Sequence, residues 1–207
     1  MRIIAGTARG RTLAGPRNLT TRPTSDKVRG AIFSMLEARG ASFSHVLDLY
    51  AGTGALGIEA LSRGAEFAEF VERERGACAV IAENLRRSGL EAAARVHCAA
   101  LPAALGRVNG PFGLIFCDPP YADASVAETL ERLRSGRELD ASSTIVYEHG
   151  RRTMPPDACG GLPRRVTRRH GDTSVTLYYL DKPNDDNPDG DATEGEDIDD
   201  CGLSGPV

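Results

Sequence analysis

VLDLYAGTGALGIEAL, residues 46–61, runs from a short apolar stretch through three glycines into a helical pattern. Gly52, Gly54 and Gly57 spell G-x-G-x-x-G, the spacing at which a strand ends, backbone approaches a ligand closely and a helix begins. The same letters serve dinucleotide folds and other nucleoside sites, so the flanks must decide between them.

Outward from this stretch, residues 43–180 alternate. Strand-like runs are SHVLDLY, EFAEFVE, AARVHC, PFGLIFCD and STIVYEH. Between them lie helical patterns: ALGIEALSRGA, ERGACAVIAENLRRSGL, a short ALPAAL and DASVAETLERLRSG. Such alternation predicts a parallel sheet with helices on both faces. PRRVTRRHGDTSVTLYYL then reads as two strands around His170–Gly171–Asp172, with no room for a helix, so this pair should be antiparallel. The expected fold class is α/β, a Rossmann-like sheet that is mostly parallel with an antiparallel last strand.

Residues 1–42 form an N-terminal extension. RIIAGTARGRTLAG suits a small hairpin, and TRPTSDKVRGAIFSMLEARG a helix capped by Thr24 or Ser25, with Val28, Ile32, Phe33, Met35 and Leu36 on its apolar face. Residues 43–182 are the main domain. Residues 183–207 are Asp-, Gly- and Pro-rich and are expected to be a disordered acidic tail.

The chain has 207 residues, 41% of them hydrophobic, and a formal net charge of −4. That charge hides an asymmetry, because the tail holds nine acids and no Lys or Arg, leaving 25 bases against 20 acids in the body. Residues 1–40 carry eight bases against two acids, and residues 151–170 six arginines against one aspartate. Basic ends around a near-neutral middle suit a polyanion such as nucleic acid, with Arg164, Arg165, Arg168 and Arg169 as candidate phosphate contacts. No 18-residue apolar run and no signal-peptide apolar region occur, so a cytoplasmic protein without membrane spans is expected. Five scattered cysteines lack a C-x-x-C pair and four histidines lack ligand spacing; free thiols and no metal are expected.

Asp48, four residues before Gly52, separates the cofactor options. An anionic side chain there is awkward beside a pyrophosphate, and it suits a sulfonium or an α-ammonium. S-adenosylmethionine carries both cations and no phosphate. Glu72, 20 residues after Gly52, is placed to bind ribose hydroxyls. Tyr50, Thr53 and Arg73 flank these positions and are expected to bind the cofactor with them.

The second motif is Asp118-Pro119-Pro120-Tyr121, after the fourth strand. Crevices in open α/β sheets lie at the carboxyl ends of strands, so it should open into the same cleft as the glycine loop. The lone pair of a nucleobase amine is delocalised into the ring. An acceptor such as Asp118, with the Pro119 carbonyl, would draw it toward a reactive geometry. Two prolines stiffen the turn and remove two backbone donors. Tyr121 offers a stacking face for an extruded base.

With these residues in place, the chain resembles the RsmD-type family of bacterial methyltransferases. These transfer a methyl group from S-adenosylmethionine to the N2 amine of a guanine in small-subunit (16S) ribosomal RNA. The similarity covers about residues 1–181 and includes MRIIAGTARGRTL, RPTSDKVRGAIFSML, VLDLYAGTGALGIEALSRGA, FVERE, DPPY and HGDT. It implies a class I S-adenosylmethionine-dependent fold, with Asp48, Gly52, Gly54 and Glu72 at the cofactor and Asp118, Pro119 and Tyr121 at the base. It further implies a substrate-side, cofactor-covering role for Arg22, Thr24, Lys27 and Arg29. The implied partner is 16S rRNA, within a subunit-assembly intermediate, and the default state is a monomer. Two departures stand out. Cys98-Ala99-Ala100 leaves the adenine amine to backbone contacts, and the acidic tail is foreign to the family pattern. The competing readings are a DNA or RNA methyltransferase acting on adenine N6 or cytosine N4, a non-catalytic RNA-binding module, and a dehydrogenase.

Overall fold

The computed structural model describes residues 1–15, 25–120, 123 and 125–181. Five strands, β1 (His45–Leu49), β2 (Phe67–Glu72), β3 (Ala94–Cys98), β4 (Leu114–Cys117) and β5 (Thr144–Gly150), pair in parallel. Three more, β6 (Ala158–Cys159), β7 (Leu162–His170) and β8 (Thr173–Tyr179), extend the sheet antiparallel. The order is β3-β2-β1-β4-β5-β8-β7-β6. It reverses direction of growth at β1, between β2 and β4, which opens the crevice where such sheets bind ligands. The antiparallel pair around Gly171 is thus present, and β6 is a short edge strand that the sequence pattern did not signal.

Four helices cover the sheet: α1 (Asp26–Arg39), α2 (Ala55–Ser62), α3 (Arg75–Ser88) and α4 (Val126–Ser135). Strand residues alternate between two cores, as a period of two requires. Val46, Phe116 and Val146 pack with α1, α2 and α3 on one face. Leu47, Ile115 and Ile145 pack with Leu133 of α4 on the other. The short helix expected around ALPAAL is present as a 3-10 helix, Ala103–Arg107. The arrangement is that of Rossmann-like class I S-adenosylmethionine-dependent methyltransferases with an N-terminal extension.

Ser25 caps α1 by accepting from the Val28 N–H, and Gly40 ends it in the left-handed region. Ile32, Phe33 and Leu36 are fully buried. The expected hairpin at the N-terminus is reduced to one antiparallel bridge, Arg2 to Thr12. Backbone bonds from Ile3 N to the Arg11 carbonyl, Gly10 N to the Ile3 carbonyl and Leu13 N to the Met1 carbonyl close this loop, and α2 holds it as well. Glu59 accepts from the amides of Ile4 (2.8 Å) and Ala5 (3.0 Å), and the Ser62 hydroxyl accepts from the Ala8 amide at 3.0 Å. Ile3, Ala8 and Leu13 enter the same core as α1 and α2. Among the described residues, no helix is long and apolar enough to cross a membrane, and Cys78, Cys98, Cys117 and Cys159 are free thiols.

Candidate active site

The glycine loop resolves the ambiguity of its own motif. Gly57 N donates to Asp48 Oδ2 at 2.9 Å, Gly52 N to Glu72 Oε2 at 2.9 Å, and Gly54 N to the Ala51 carbonyl at 2.7 Å. In a dinucleotide site the amides at the helix N-terminus face a pyrophosphate. Here the Asp48 carboxylate already takes the third amide of α2, so the anion position is filled by the protein itself. Gly54 and Gly57 are glycine for packing as well as turning. A Cβ on Gly54, at φ 76°, would lie 3.1 Å from Ile81 Cγ2, and one on Gly57 would lie 2.4 Å from the Phe70 ring.

The loop opens into a cleft of about 1370 Å³ at the carboxyl ends of β1, β2, β4 and β5. Asp48, Tyr50, Gly52, Thr53, Glu72 and Arg73 line it, as do Asp118, Pro119 and Pro120, so both sequence motifs meet in one cavity. Gly54 is not among the lining residues; it shapes the turn from the core side. Tyr121, Arg22 and Thr24 lie outside the described residues, as does the acidic tail. Ser25, the cap of α1, and Val28 in its first turn line the cleft, whereas Lys27 is exposed beside them.

Arg29 departs from expectation. Its side chain is fully buried, donates to the Arg2 carbonyl and to Asp26 Oδ1 (3.0 Å), and lies 3.7 Å from Glu59. It ties the N-terminal loop to α1 and α2 and presents nothing to a substrate. In the sequence such a cation looks like a surface feature, because two of its partners, Arg2 and Glu59, are remote along the chain.

Eight carboxylate side chains line the cleft among the described residues, Asp48, Glu72, Asp118 and Glu148 included, against one guanidinium, Arg73. This cavity repels phosphate and attracts cations and N–H donors. Asp48 is 2% exposed; burial pushes its carboxyl up to about 8, the Gly57 amide opposes this, and Asp118 and Glu72 add to it. A cationic ligand beside it would restore the charged form. Glu72 also accepts from Glu74 N at 2.9 Å, which fixes its carboxylate at the strand end.

Tyr50 adopts φ 58°, alone among the described non-glycine residues in the left-handed region, and its hydroxyl lies 3.1 Å from Thr129 Oγ1 on α4. Strain of this kind gathers at functional sites, where surrounding contacts hold it. Ala99, Ala100 and Leu101 form an uncharged wall after β3, with Ala99 N already donating to the Glu72 carbonyl at 2.9 Å.

Several lining residues were not singled out from the sequence as site residues. His170, Gly171, Asp172 and Thr173, the turn between β7 and β8, reach the cleft, as do Ala14 and Gly15. Asn84 of α3 is fully buried and links two of these regions. It accepts from Ala14 N (2.7 Å) and donates to the carbonyls of Ala14 (3.2 Å) and Thr53 (3.0 Å). The N-terminal loop and the glycine loop thereby share one side chain.

The family profile described as "Conserved hypothetical protein 95" matches residues 1–179. YlbH of Bacillus subtilis is 39% identical over 184 residues, covering 86% of this chain and 98% of that protein. Ribosomal RNA small subunit methyltransferase D of Escherichia coli K12 is 36% identical over 161 residues, covering 75% of this chain and 79% of the enzyme. The solved structure of a Thermus thermophilus protein superposes with a TM-score of 0.73 at 32% identity, over 87% of this chain and 99% of that one.

Proposed function

The chain belongs to the Conserved hypothetical protein 95 family, and from that premise we propose that it transfers a methyl group from S-adenosylmethionine to the exocyclic N2 amine of a guanine in small-subunit (16S) ribosomal RNA. One observation carries the reading: a carboxylate-rich cleft in which Asp48 and Glu72 sit beside Asp118-Pro119-Pro120. The residues fit the cofactor. Asp48 suits its cationic amino-acid end, Glu72 its ribose hydroxyls, and the wall at Ala99 and Ala100 its flat ring. When bound, S-adenosylmethionine supplies a methyl group activated by an adjacent sulfonium.

The protein's own part is positioning and charge. Asp118 accepts an N–H of the target amine and stabilises the positive charge that builds on nitrogen as the N–C bond forms and the S–C bond breaks. The amine then gives up a proton to Asp118 or to water. Pro119 and Pro120 hold the turn rigid, so the target amine would be held in a fixed position for transfer. To Tyr121 we assign stacking on the base, and to Arg22, Thr24 and Lys27 contacts with the RNA. Because the cleft repels phosphate, the base must be turned out of the backbone to enter it. The name of the Escherichia coli relative supports ribosomal RNA as the substrate. A cytoplasmic monomer acting on an assembly intermediate completes the proposal.

The test is tritium transfer from labelled S-adenosylmethionine to small-subunit particles, naked rRNA and duplex DNA, followed by nucleoside analysis. N2-methylguanosine in RNA is expected. Label confined to DNA, or to adenine or cytosine amines, would overturn the assignment.

A further inference from the structure

We propose that Glu148 selects guanine, by accepting the N1–H of the target base while Asp118 accepts from its N2 amine; this rests on the guanine reading above. Cys117 and Tyr147 are register partners on the adjacent parallel strands β4 and β5. Phe116 and Val146, one residue earlier, face the same core. Asp118 and Glu148, one residue later, therefore leave the sheet side by side toward that same face, and both line the cleft. Adjacent strands are about 4.8 Å apart, which sets two carboxylates at the scale of one base edge.

The chemistry singles out one base. The Watson–Crick edge of guanine carries N1–H and the N2 amine next to each other, two donors for two carboxylates. Adenine presents a bare N1, and cytosine a bare N3, beside its amine. A carboxylate facing either lone pair repels it. Glu148 is 7% exposed, so bulk water does not blunt that repulsion. A carboxylate has about four lone-pair positions, so contacts within the protein leave capacity for a substrate donor. On the far side Glu148 pairs with Val175 of β8, and the Asp172–Thr173 turn closes that edge of the cleft.

2-Aminopurine isolates the contact, since it keeps the 2-amine but has a bare N1. Two short RNAs would carry guanine or 2-aminopurine at the position mapped by the tritium experiment. The wild-type enzyme should prefer guanine in kcat/KM by roughly 10- to 100-fold, the range of a hydrogen bond to a charged group. Glu148→Gln should bring the ratio near one, because the amide can turn its oxygen to guanine or its NH2 to 2-aminopurine. Glu148→Asp, which keeps the charge, should retain most of the preference. Cofactor affinity of both variants, read by calorimetry, should stay within about twofold of wild type, consistent with an intact fold. Equal wild-type rates on the two RNAs would overturn the inference without touching the guanine assignment. So would a Glu148→Gln variant that slows on both RNAs in proportion. A wild-type enzyme that methylates 2-aminopurine RNA alone, or neither RNA, removes the guanine assignment and this inference with it.

Discussion

Asp48 serves two roles that pull against each other. Its carboxylate caps α2 through the Gly57 amide, yet burial beside Asp118 and Glu72 raises its pKa to about 8. The folded protein therefore holds a proton there between about pH 4 and 8 that the unfolded chain gives up, so this group's contribution to stability falls as pH rises through that window. A cationic ligand favours the ionised form. Affinity for S-adenosylmethionine should rise with pH, by at most about tenfold per unit, and level off above 8. Asp48→Asn should flatten that profile, weaken binding and raise the melting temperature at pH 8; calorimetric titration and thermal melts at pH 6–9 read all three. Asp118→Ala should cut kcat by about 100-fold or more. Its removal also relieves the repulsion on Asp48, so cofactor affinity should hold or tighten slightly. A collapse of affinity with activity retained would refute the role given to Asp118. At this scale the sequence was informative wherever chemistry is local: Asp48, Glu72 and Asp118 sit at strand ends that periodicity can find. It misled at Arg29, whose burial depends on Glu59, thirty residues away.

At the scale of elements, α2 is the centre of the molecule. Its first turn carries the glycine loop, and its middle carries Glu59, which meets two backbone amides, Arg29 and Arg63 (2.9 Å). Glu59 is fully buried, so a neutral side chain there leaves the buried Arg29 guanidinium with Asp26 alone as a counter-charge. Glu59→Gln should cost about 3 kcal/mol of unfolding free energy. Adding Arg29→Met should recover much of it, because the uncompensated charge goes with it; urea titrations of both variants check this. Strand and helix periods were legible along the whole body, and Gly171 marked the antiparallel return. β6 was not legible because two residues carry no period. The clamp made by Asn84 was not legible either, since its partners lie 31 and 70 positions away and an asparagine in an amphipathic helix looks like any polar residue.

Over the whole molecule, charge is sorted by depth. The cleft is acidic, while β7, which runs into the cleft-lining turn His170–Thr173, carries four arginines. Arg164 pairs with Asp157 at 2.7 Å and Arg165 with Asp181 at 2.6 Å, whereas Arg168 and Arg169 stand exposed on β7. Under the proposed function, phosphates would meet these arginines while the base enters the cleft. Replacing Arg168 and Arg169 by alanine should lower the dependence of log affinity for RNA on log salt by roughly 1.4, if each meets one phosphate of a single strand, and leave cofactor affinity unchanged. Filter binding between about 50 and 200 mM salt measures it. Charge segregation along the chain was legible in composition, but its inversion inside the cleft required the fold, because the lining carboxylates come from separate strands, helices and turns.

The seating of residues 1–15 on α2 bears on how much of this protein a cell recovers in usable form. Translation begun at a codon beyond that loop would give a product with Ile3, Ala8 and Leu13 missing from their sockets. The carboxylate of Glu59 would lose both of its backbone donors, and Asn84 would lose both of its bonds to Ala14. Such a product would carry an apolar scar next to a glycine-rich turn, and it should partition into inclusion bodies.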